Sequence, residues 1–531
     1  MSRRQPKVSY WQEAPMPRNQ LVLIPSALER IITADHPVRL VDEILDQLDW
    51  TQWEAAYHGS HGQPPIHPSI LAKTLLFAML RRIRSSRQIE YELKHSIDFI
   101  WLTSGREIDH TTLSEFRRKH TDELRDIFRQ MIQFAIDLKL TNLAELCIDG
   151  TRVLADANKY KTWTTARLTR ALEQLDSQIA EALENLEVTD SLDEDLIGQD
   201  ISADRLPAAI ADLKSRREQL AAYKETTQAM DATRKKNGSK GPAQLPKTDP
   251  DSRILPSKEG GYATNYTPMA TTETGCGMIV SAEVVIGNVE HDQFATIVET
   301  VESDFDMNIE RVLADSAYTR GENLTIAESK GVELTGPLAE TKCKDNPAIR
   351  ADITQPVAAD SVDALPIQSR TKCFDKTAFV YDQASDSYYC PAGKPLPNRI
   401  TYGIGKPTER TVYTCAECEG CELASLCIRK SDKSGQRELV DDVHEGVRRQ
   451  HRERMQSEAA QEAYKRRQHF GEQPFAVIKA MFDLRRFLLR GIEGVGQEWR
   501  WAATAFNLKK LMSLWQSVRE SLAENEEMAI V

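Results

Sequence analysis

Two short apolar runs in this chain each end on an aspartate, and they constrain the fold more than any other feature. In "AELCIDGT" the run 146–148 leads into Asp149, and in "RVLADSAY" the run 312–314 leads into Asp315. Both runs have the character of buried strands. A carboxylate is rarely tolerated inside a protein unless something pairs with it. Two strands that each deliver a carboxylate therefore predict a site of concentrated negative charge.

The pattern around these runs alternates strands with helices from residue 143 onward. Helical patterns at 292–304 and 322–331 flank the strand that ends on Asp315, and several strand patterns precede them. This alternation predicts an α/β core built on a mixed sheet.

The chain of 531 residues is too long for a single hydrophobic core, so several domains are expected. The helical patterns before the core predict an all-α N-terminal domain, and two insertions interrupt the core. The predicted segments are a helical DNA-binding domain at 1–140, the first part of the core at 141–340, a helical-hairpin insertion within it at 165–240, a loop-rich, cysteine-rich insertion at 341–445, and helices that complete the core at 446–522.

Basic residues cluster on the N-terminal helices and near the end of the core. Short helices joined by tight turns suit a helix-turn-helix-like DNA binder, although a plain bundle would have the same periodicity. For each cluster taken singly, a solvated helix face is the alternative. The residues predicted to contact DNA from these clusters are Arg84, Arg87, Arg117, Arg118, Arg485 and Arg486.

The net charge of −12 at first argues against a nucleic-acid partner. Residues 171–230, however, carry 14 acidic and 5 basic residues, so most of the excess belongs to that one segment. Local basic patches can therefore still bind DNA. The chain shows no secretory signal and no apolar run long enough to span a bilayer, which predicts a cytoplasmic protein with no membrane contact.

Five cysteines fall within 38 residues, between Cys390 and Cys427. In a chain without a signal they are better interpreted as thiols than as disulfides, and their spacing suits tetrahedral zinc. The predicted structural Zn²⁺ ligands are Cys390, Cys418, Cys421 and Cys427, with Cys415 as a substitute. An iron–sulfur cluster and unligated cysteines are the alternatives.

A third acid is needed if the two aspartates are to hold two divalent ions. Glu472 precedes Pro474 and is expected near the start of a helix. Lys479 lies seven residues further, two turns along the same helical face, where it could bind a phosphate.

These motifs resemble the three blocks of DDE transposases from bacterial insertion sequences. "CIDGT", "LADSAY" and "YKRRQHFGEQPFAVIK" carry Asp149, Asp315 and Glu472. The N-terminal "HPSILAKTLLFAMLRRIRSSRQIEYEL" is similar to the InsH-type domain found in front of such cores. A cysteine-bearing insertion before the final helix fits one branch of the family.

The resemblance implies an RNase H-like core with a mixed five-strand sheet. Asp149 would lie on the first strand, Asp315 on or just after the fourth, and Glu472 on a late helix. By analogy these catalytic residues hold two Mg²⁺ or Mn²⁺ ions for DNA cleavage and strand transfer at the element's ends. It also implies double-stranded DNA as partner, a homodimer on DNA, and a nucleoid-associated protein.

The chain departs from the family pattern around the glutamate. Gln473 separates Glu472 from Pro474, and the tyrosine–arginine–glutamate–lysine pattern has one extra residue between arginine and glutamate. Arg467 is assigned to this pattern as a DNA-binding residue, with Arg466 as the alternative. Glu493 and Glu498 are alternatives for the third acid.

Two other functions compete with a DNA-cutting transposase. A catalytically inactive descendant could serve as a DNA-binding regulator, but such a copy would be free to lose its three acids. An RNase H-like nuclease without a transfer step would have less need of a basic N-terminal domain. The terminal sequence, the target and the excision intermediate do not follow from the sequence.

Overall fold

Two compact units make up the chain, the first ending at Lys119 and the second beginning at His120. The computed structural model describes residues 27–57, 65–193, 205–257, 260–340, 345–429, 432 and 434–529, apart from the side chains of 185–193, 205–209, 399 and 516–529. The acidic turn predicted at 189–200 lies largely outside the described residues, and so does the N-terminal stretch in which a signal was sought.

The first unit is helical throughout its described part. Its α-helices are α1 (Pro37–Asp46), α2 (Thr51–Ala55), α3 (Pro68–Leu80), α4 (Ser86–His95), α5 (Ile97–Leu102) and α6 (His110–Arg118). The buried ammonium of Lys73 on α3 forms ion pairs of 2.6 and 2.5 Å with Asp42 and Asp46 of α1. These pairs satisfy a charge that would otherwise be costly to bury.

The long helical pattern at 109–138 is interrupted in the structure. His120 has a φ of 64°, in the left-handed region that a helix cannot continue through. A new helix therefore begins in the second unit after α6 has ended.

The second unit contains the predicted core. Its elements up to the second insertion are α7 (Thr121–Asp137), β1 (Glu145–Gly150), β2 (Val153–Leu154), β3 (Thr162–Trp163), α8 (Thr165–Asp193), α9 (Arg205–Lys236), β4 (Leu245–Pro246), β5 (Arg253–Pro256), β6 (Tyr262–Glu273), β7 (Ile279–Val285), α10 (Phe294–Phe305), β8 (Arg311–Leu313), α11 (Gly321–Lys330) and β9 (Glu333–Thr335). The two long helices α8 and α9 pack through Leu168, Leu175 and Leu220.

The central sheet of this unit has the order β7-β6-β1-β8-β9. Strand β6 is antiparallel to both β7 and β1, whereas β1, β8 and β9 are mutually parallel. The short strands β2 and β5 extend the sheet along the beginning of β6. The structure thus confirms an α/β fold with a mixed sheet.

The cysteine-rich insertion is loop-rich in its described part, as expected, but it also contains a sheet that was not predicted. It forms an antiparallel sheet of five strands in chain order. Its elements are β10 (Val380–Asp382), β11 (Ser387–Tyr389), β12 (Pro395–Tyr402), β13 (Arg410–Thr414), α12 (Ala424–Cys427) and β14 (Glu438–Asp442). Phe374, Tyr388 and Leu396 are buried with the cysteines in a hydrophobic core of the insertion's own. The strands could not be read from the sequence because turns separate such short segments.

Three helices complete the unit: α13 (Glu445–Met455), α14 (Glu458–Ala480) and α15 (Gly491–Ala529). Helix α15 is fixed to the central sheet because the indole N–H of Trp499 donates to the Met269 carbonyl at 2.8 Å. The Asn507 side chain also bonds both backbone groups of Ile279, each at 2.8 Å. None of the described helices combines the length and apolar character needed to cross a membrane.

Candidate active site

Asp149 lies on β1, and Asp315 follows the end of the neighbouring parallel strand β8 at the matching position. The register of β1 and β8 pairs Cys147 with Leu313, and each aspartate follows two residues later. Because side chains alternate along a strand, both carboxylates leave the same face at the same edge of the sheet. The Asp149 side chain is 12% exposed and that of Asp315 39% exposed. The sheet thus brings together two acids that are far apart in sequence.

Helix α14 brings Glu472 to these aspartates. The preceding residue, Gly471, is buried so close to β1 that a Cβ atom would lie 3.1 Å from Asp149 Oδ2 and 3.2 Å from Cys147 Sγ. The absence of a side chain therefore allows the helix backbone to approach the carboxylate. Glu472 itself is exposed, and its charge acts on Asp149.

The expectation that Glu472 lies near a helix start was wrong. Helix α14 begins at Glu458 and continues through Pro474 to Ala480. Proline lacks the N–H that would bond the carbonyl of Phe470, a loss that usually ends a helix. Pro474 is buried, and tertiary packing keeps the helix continuous.

The guanidinium of Arg467 lies between the two aspartates. Its Nη2 donates to Asp149 Oδ2 at 2.9 Å and lies 3.9 Å from Asp315 Oδ2. Its Nε is buried and has no hydrogen-bond partner within the part of the chain that the structure describes. Arg466 turns the other way and donates to Glu145 at 2.6 to 3.1 Å. Of the two arginines considered for this position, Arg467 is the one that faces the carboxylates.

The surroundings of Asp149 disfavour the ionised form of its carboxyl group. The pKa of this carboxyl is raised to about 6: burial is the largest cause, the charges of Asp315 and Glu472 add to it, and Arg467 and the Gly150 N–H oppose the shift. Desolvation and like charges both disfavour ionisation, so a positive ion nearby would stabilise the ionised form.

The donor chemistry of this cluster suits a hard divalent cation, since Mg²⁺ and Mn²⁺ prefer carboxylate oxygens. Among the described residues, however, no group of three or more His, Cys, Asp or Glu side chains is arranged so that it could hold a metal ion. A guanidinium stands between Asp149 and Asp315 instead. Ion binding at these residues would therefore require Arg467 to withdraw.

Lys479 lies on the same helix, two turns beyond Glu472. Its ammonium donates to Thr151 Oγ1 at 2.7 Å and to the Arg152 carbonyl at 2.8 Å. It thereby ties α14 to the turn that follows Asp149.

The predicted DNA-binding arginines differ in exposure. Arg87 and Arg118 in the first unit are exposed, as are Arg485 and Arg486 in the second. Arg117 is buried and donates to the Arg84 carbonyl at 2.7 Å.

The alternatives for the third acid lie in other surroundings. Glu498 is buried and accepts from the N–H groups of Leu488 and Leu489 at 2.8 and 3.0 Å, whereas Glu493 is exposed on α15. Glu472 is the one whose charge acts on Asp149.

The five cysteines converge within the insertion. Cys390, Cys415, Cys418, Cys421 and Cys427 line one cavity of about 20 Å³ and are free thiols. A hydrogen bond from Cys415 holds the pKa of the Cys390 thiol below its usual range, whereas burial raises that of Cys427. Cys415, treated as a substitute, therefore lies in the same cluster as the four predicted ligands.

Gly471 is the residue of this site that the sequence motifs did not reveal. A glycine inside a helical pattern costs about 1 kcal/mol relative to alanine and usually has a packing reason. Arg467 lies four residues before it, on the same helical face. That spacing could have indicated which arginine faces the sheet.

Two protein-family models match the chain. The model described as Transposase domain (DUF772) matches residues 26–119, and the model described as Transposase DDE domain matches residues 389–512. The first match ends where the first compact unit ends, and the second includes Glu472 but neither aspartate. No curated protein and no solved structure matched.

Both matches are to domains of transposases, and they support a transposase function. More particularly, both support a DDE transposase of an insertion sequence, so the family predicted from the motifs is confirmed.

Proposed function

We propose that the chain catalyses metal-dependent DNA cleavage and strand transfer at the ends of an insertion sequence, with Asp149, Asp315 and Glu472 as its catalytic residues. The observation that carries this proposal is the register of β1 and β8, which aligns the two aspartates beneath the helix of Glu472. Two carboxylates that share one guanidinium, with a third acid whose charge acts on one of them, have little structural reason to be placed together.

The core is proposed to be RNase H-like. Among the five strands β1, β6, β7, β8 and β9, the first carries Asp149 and the fourth ends two residues before Asp315. This is the arrangement that the family resemblance implies.

The three acids would hold two Mg²⁺ or Mn²⁺ ions, which when bound activate the attacking oxygen and stabilise the leaving oxygen at phosphorus. The chain's own groups organise the site. Gly471 sets the approach of α14 to β1, and Lys479 holds the turn after Asp149. Arg467 neutralises Asp149 and restrains its orientation.

DNA would be bound by the exposed arginines of both units and by Arg467 and Lys479 once these leave their present partners. Local cation patches support such binding despite the overall negative charge. We further propose a homodimer on DNA, since two ends must be joined, in the cytoplasm at the nucleoid. The cysteine cluster is proposed as a structural Zn²⁺ site, supported by thiols that share one cavity.

The test is Mg²⁺-dependent cleavage of a DNA fragment that carries the gene's own flanking ends. Wild type should cut at the element boundary, and Asp315→Asn should lose at least about 100-fold in rate because a charged ligand is removed. Glu493→Gln is the matched control, an exposed carboxylate on α15 that should leave cutting unchanged. Binding of the ends without cutting by wild type would instead favour a DNA-binding regulator.

A further inference from the structure

A groove of about 690 Å³ lies in the second unit and is lined in part by Leu154, five residues after Asp149. Its described walls come from the segment after β2, the beginning of β6 and the segment before α15. We call it the tyrosine groove, and its lining residues include Asp156, Lys159, Lys161, Tyr262, Arg486 and Arg490.

The lining of the tyrosine groove is predominantly positive. Within its described part, four cations face one carboxylate, that of Asp156. Arg490 pairs with Asp156 at 2.7 Å and also donates to the Asp156 carbonyl at 3.1 Å. These contacts join the segment before α15 to the segment after β2. A concave surface with excess positive charge is suited to a polyanion.

Two exposed tyrosines belong to this region: Tyr262 lines the groove, and Tyr160 is its neighbour in sequence. Tyr262 is 60% exposed, and Tyr160, between the lining residues Lys159 and Lys161, is 80% exposed. The Lys159 ammonium lies 5.2 Å from the centre of the Tyr160 ring and donates to the Tyr262 carbonyl at 2.9 Å. One cation therefore bridges the two tyrosine positions. Exposed aromatic rings beside cations form a stacking platform for nucleic-acid bases.

The groove is close to the catalytic carboxylates along the chain. Leu154 lines the groove and lies five residues after Asp149. The Cα atoms of Leu154 and Asp149 are therefore at most about 18 Å apart. That span corresponds to about five stacked nucleotides of one strand. Leu154 is held in place because its carbonyl accepts from the Phe487 N–H at 2.8 Å.

We propose that the tyrosine groove binds unpaired DNA, with bases stacked on Tyr160 and Tyr262 and phosphates held by the four cations. The proposal rests on the proposed function, because it assigns the groove to the strand that reaches the carboxylates. Bases inside a duplex are already stacked on their neighbours. An intact duplex would therefore contact the cations through its phosphates, and its bases would not stack on the tyrosine rings. Two rings this exposed favour the unpaired strand.

The test uses full-length protein without added Mg²⁺ or Mn²⁺ and a duplex that ends in roughly five unpaired deoxynucleotides, one of them 2-aminopurine. Fluorescence anisotropy gives the affinity, and quenching of 2-aminopurine reports stacking. Tyr160→Ala and Tyr262→Ala should each weaken binding of the tailed duplex by about 5- to 100-fold and restore the fluorescence. Neither should change binding of the blunt duplex, and Tyr160→Phe should keep wild-type behaviour.

Tyr402→Ala is the matched control. Tyr402 is 45% exposed on β12, with the Arg410 guanidinium 5.2 Å from its ring, so it reproduces the exposed ring and the cation elsewhere in the unit. Equal binding by the groove variants and this control, or an equal loss for tailed and blunt DNA, would overturn the proposal. Because no metal or cleavage enters the measurement, this result is separable from failure of the proposed function, which the cleavage test reports.

Discussion

A single glycine determines how closely α14 approaches the carboxylate on β1. Gly471 sits where a Cβ would be 3.1 Å from Asp149 Oδ2, which is tighter than ordinary van der Waals contact. Elsewhere in helices, glycine is a liability that alanine would remove. The glycine at this position lowers the stability of the helix but allows the helix backbone to lie close to the Asp149 carboxylate.

Gly471→Ala is expected to displace Glu472 from the aspartates. The close contact of the added methyl with β1 should cancel the stability that alanine usually adds to a helix. The rate of DNA cleavage should fall by about 10-fold or more, because a small displacement of a catalytic group is costly. Steady-state cleavage rates and denaturant unfolding measure the two effects. Gly496→Ala is the control, since nothing lies within 4 Å of a Cβ there, and it should raise the free energy of unfolding by up to about 1 kcal/mol without loss of activity. Full activity in Gly471→Ala would show that this close approach is dispensable.

Arg467 illustrates what residue patterns leave undecided. The family pattern suggested a DNA-binding arginine and left the choice between Arg466 and Arg467 open. Tertiary contacts distinguish them, because Arg467 donates to Asp149 and Arg466 to Glu145. A contact between residues more than 300 positions apart is not encoded in local spacing.

At the scale of elements, the strands next to the aspartates were the most predictable part, although β1 continues one residue past Asp149 and β8 ends two residues before Asp315. Apolar runs interrupted by a carboxylate gave both the strands and the candidate residues. Helix α14 was less predictable, because Pro474 suits the first turn of a helix and so suggested a helix start near Glu472, whereas the buried Pro474 lies inside a continuous helix. The sheet of the insertion was not predicted, because its strands of three to eight residues are too short to show a clear strand pattern in the sequence.

An ionic network joins the sheet of the insertion to α13. Glu445 is buried at the start of α13 and pairs with Lys376, Arg448 and Arg452 at 3.0, 2.9 and 2.8 Å. Arg449 of the same helix pairs with the buried Asp441 of β14 at 2.6 Å. The network fixes the insertion next to the helix that precedes α14.

This network predicts sensitivity to acid. Burial opposes ionisation of Glu445, but Lys376 and Arg452 outweigh it and hold its pKa at about 2, below the ordinary value of 4.5. A lowered pKa stabilises the fold above pH 4.5, and this stabilisation is lost as the pH falls from 4.5 towards 2. The loss should amount to about 3 kcal/mol.

Denaturant unfolding of wild type and Glu445→Gln between pH 6 and pH 2 measures the effect. Wild type should be the more stable protein at pH 6, and the difference should vanish near pH 2. Glu438→Gln, an exposed position on β14, is the control and should follow wild type. A difference between wild type and Glu445→Gln that stays constant with pH would show that the charge of Glu445 is not what stabilises this contact.

At the scale of the whole molecule, the candidate site exists only when three distant segments have folded together. Asp149 comes from β1, Asp315 follows β8, and Glu472 lies in the middle of α14, after two insertions. The sequence motifs predicted these three acids as catalytic residues. The approach of the two aspartates to each other, and the arginine between them, required the register of the sheet and the packing of the helix.

The most direct test of this account is calorimetric titration of Mn²⁺ into the full-length protein. Wild type should bind Mn²⁺, and Asp149→Asn, Asp315→Asn and Glu472→Gln should each weaken binding by more than about 10-fold because each removes a charged oxygen donor. Glu493→Gln should bind as wild type does. If all three variants bind Mn²⁺ with unchanged affinity, these carboxylates do not form one metal site and the account is contradicted.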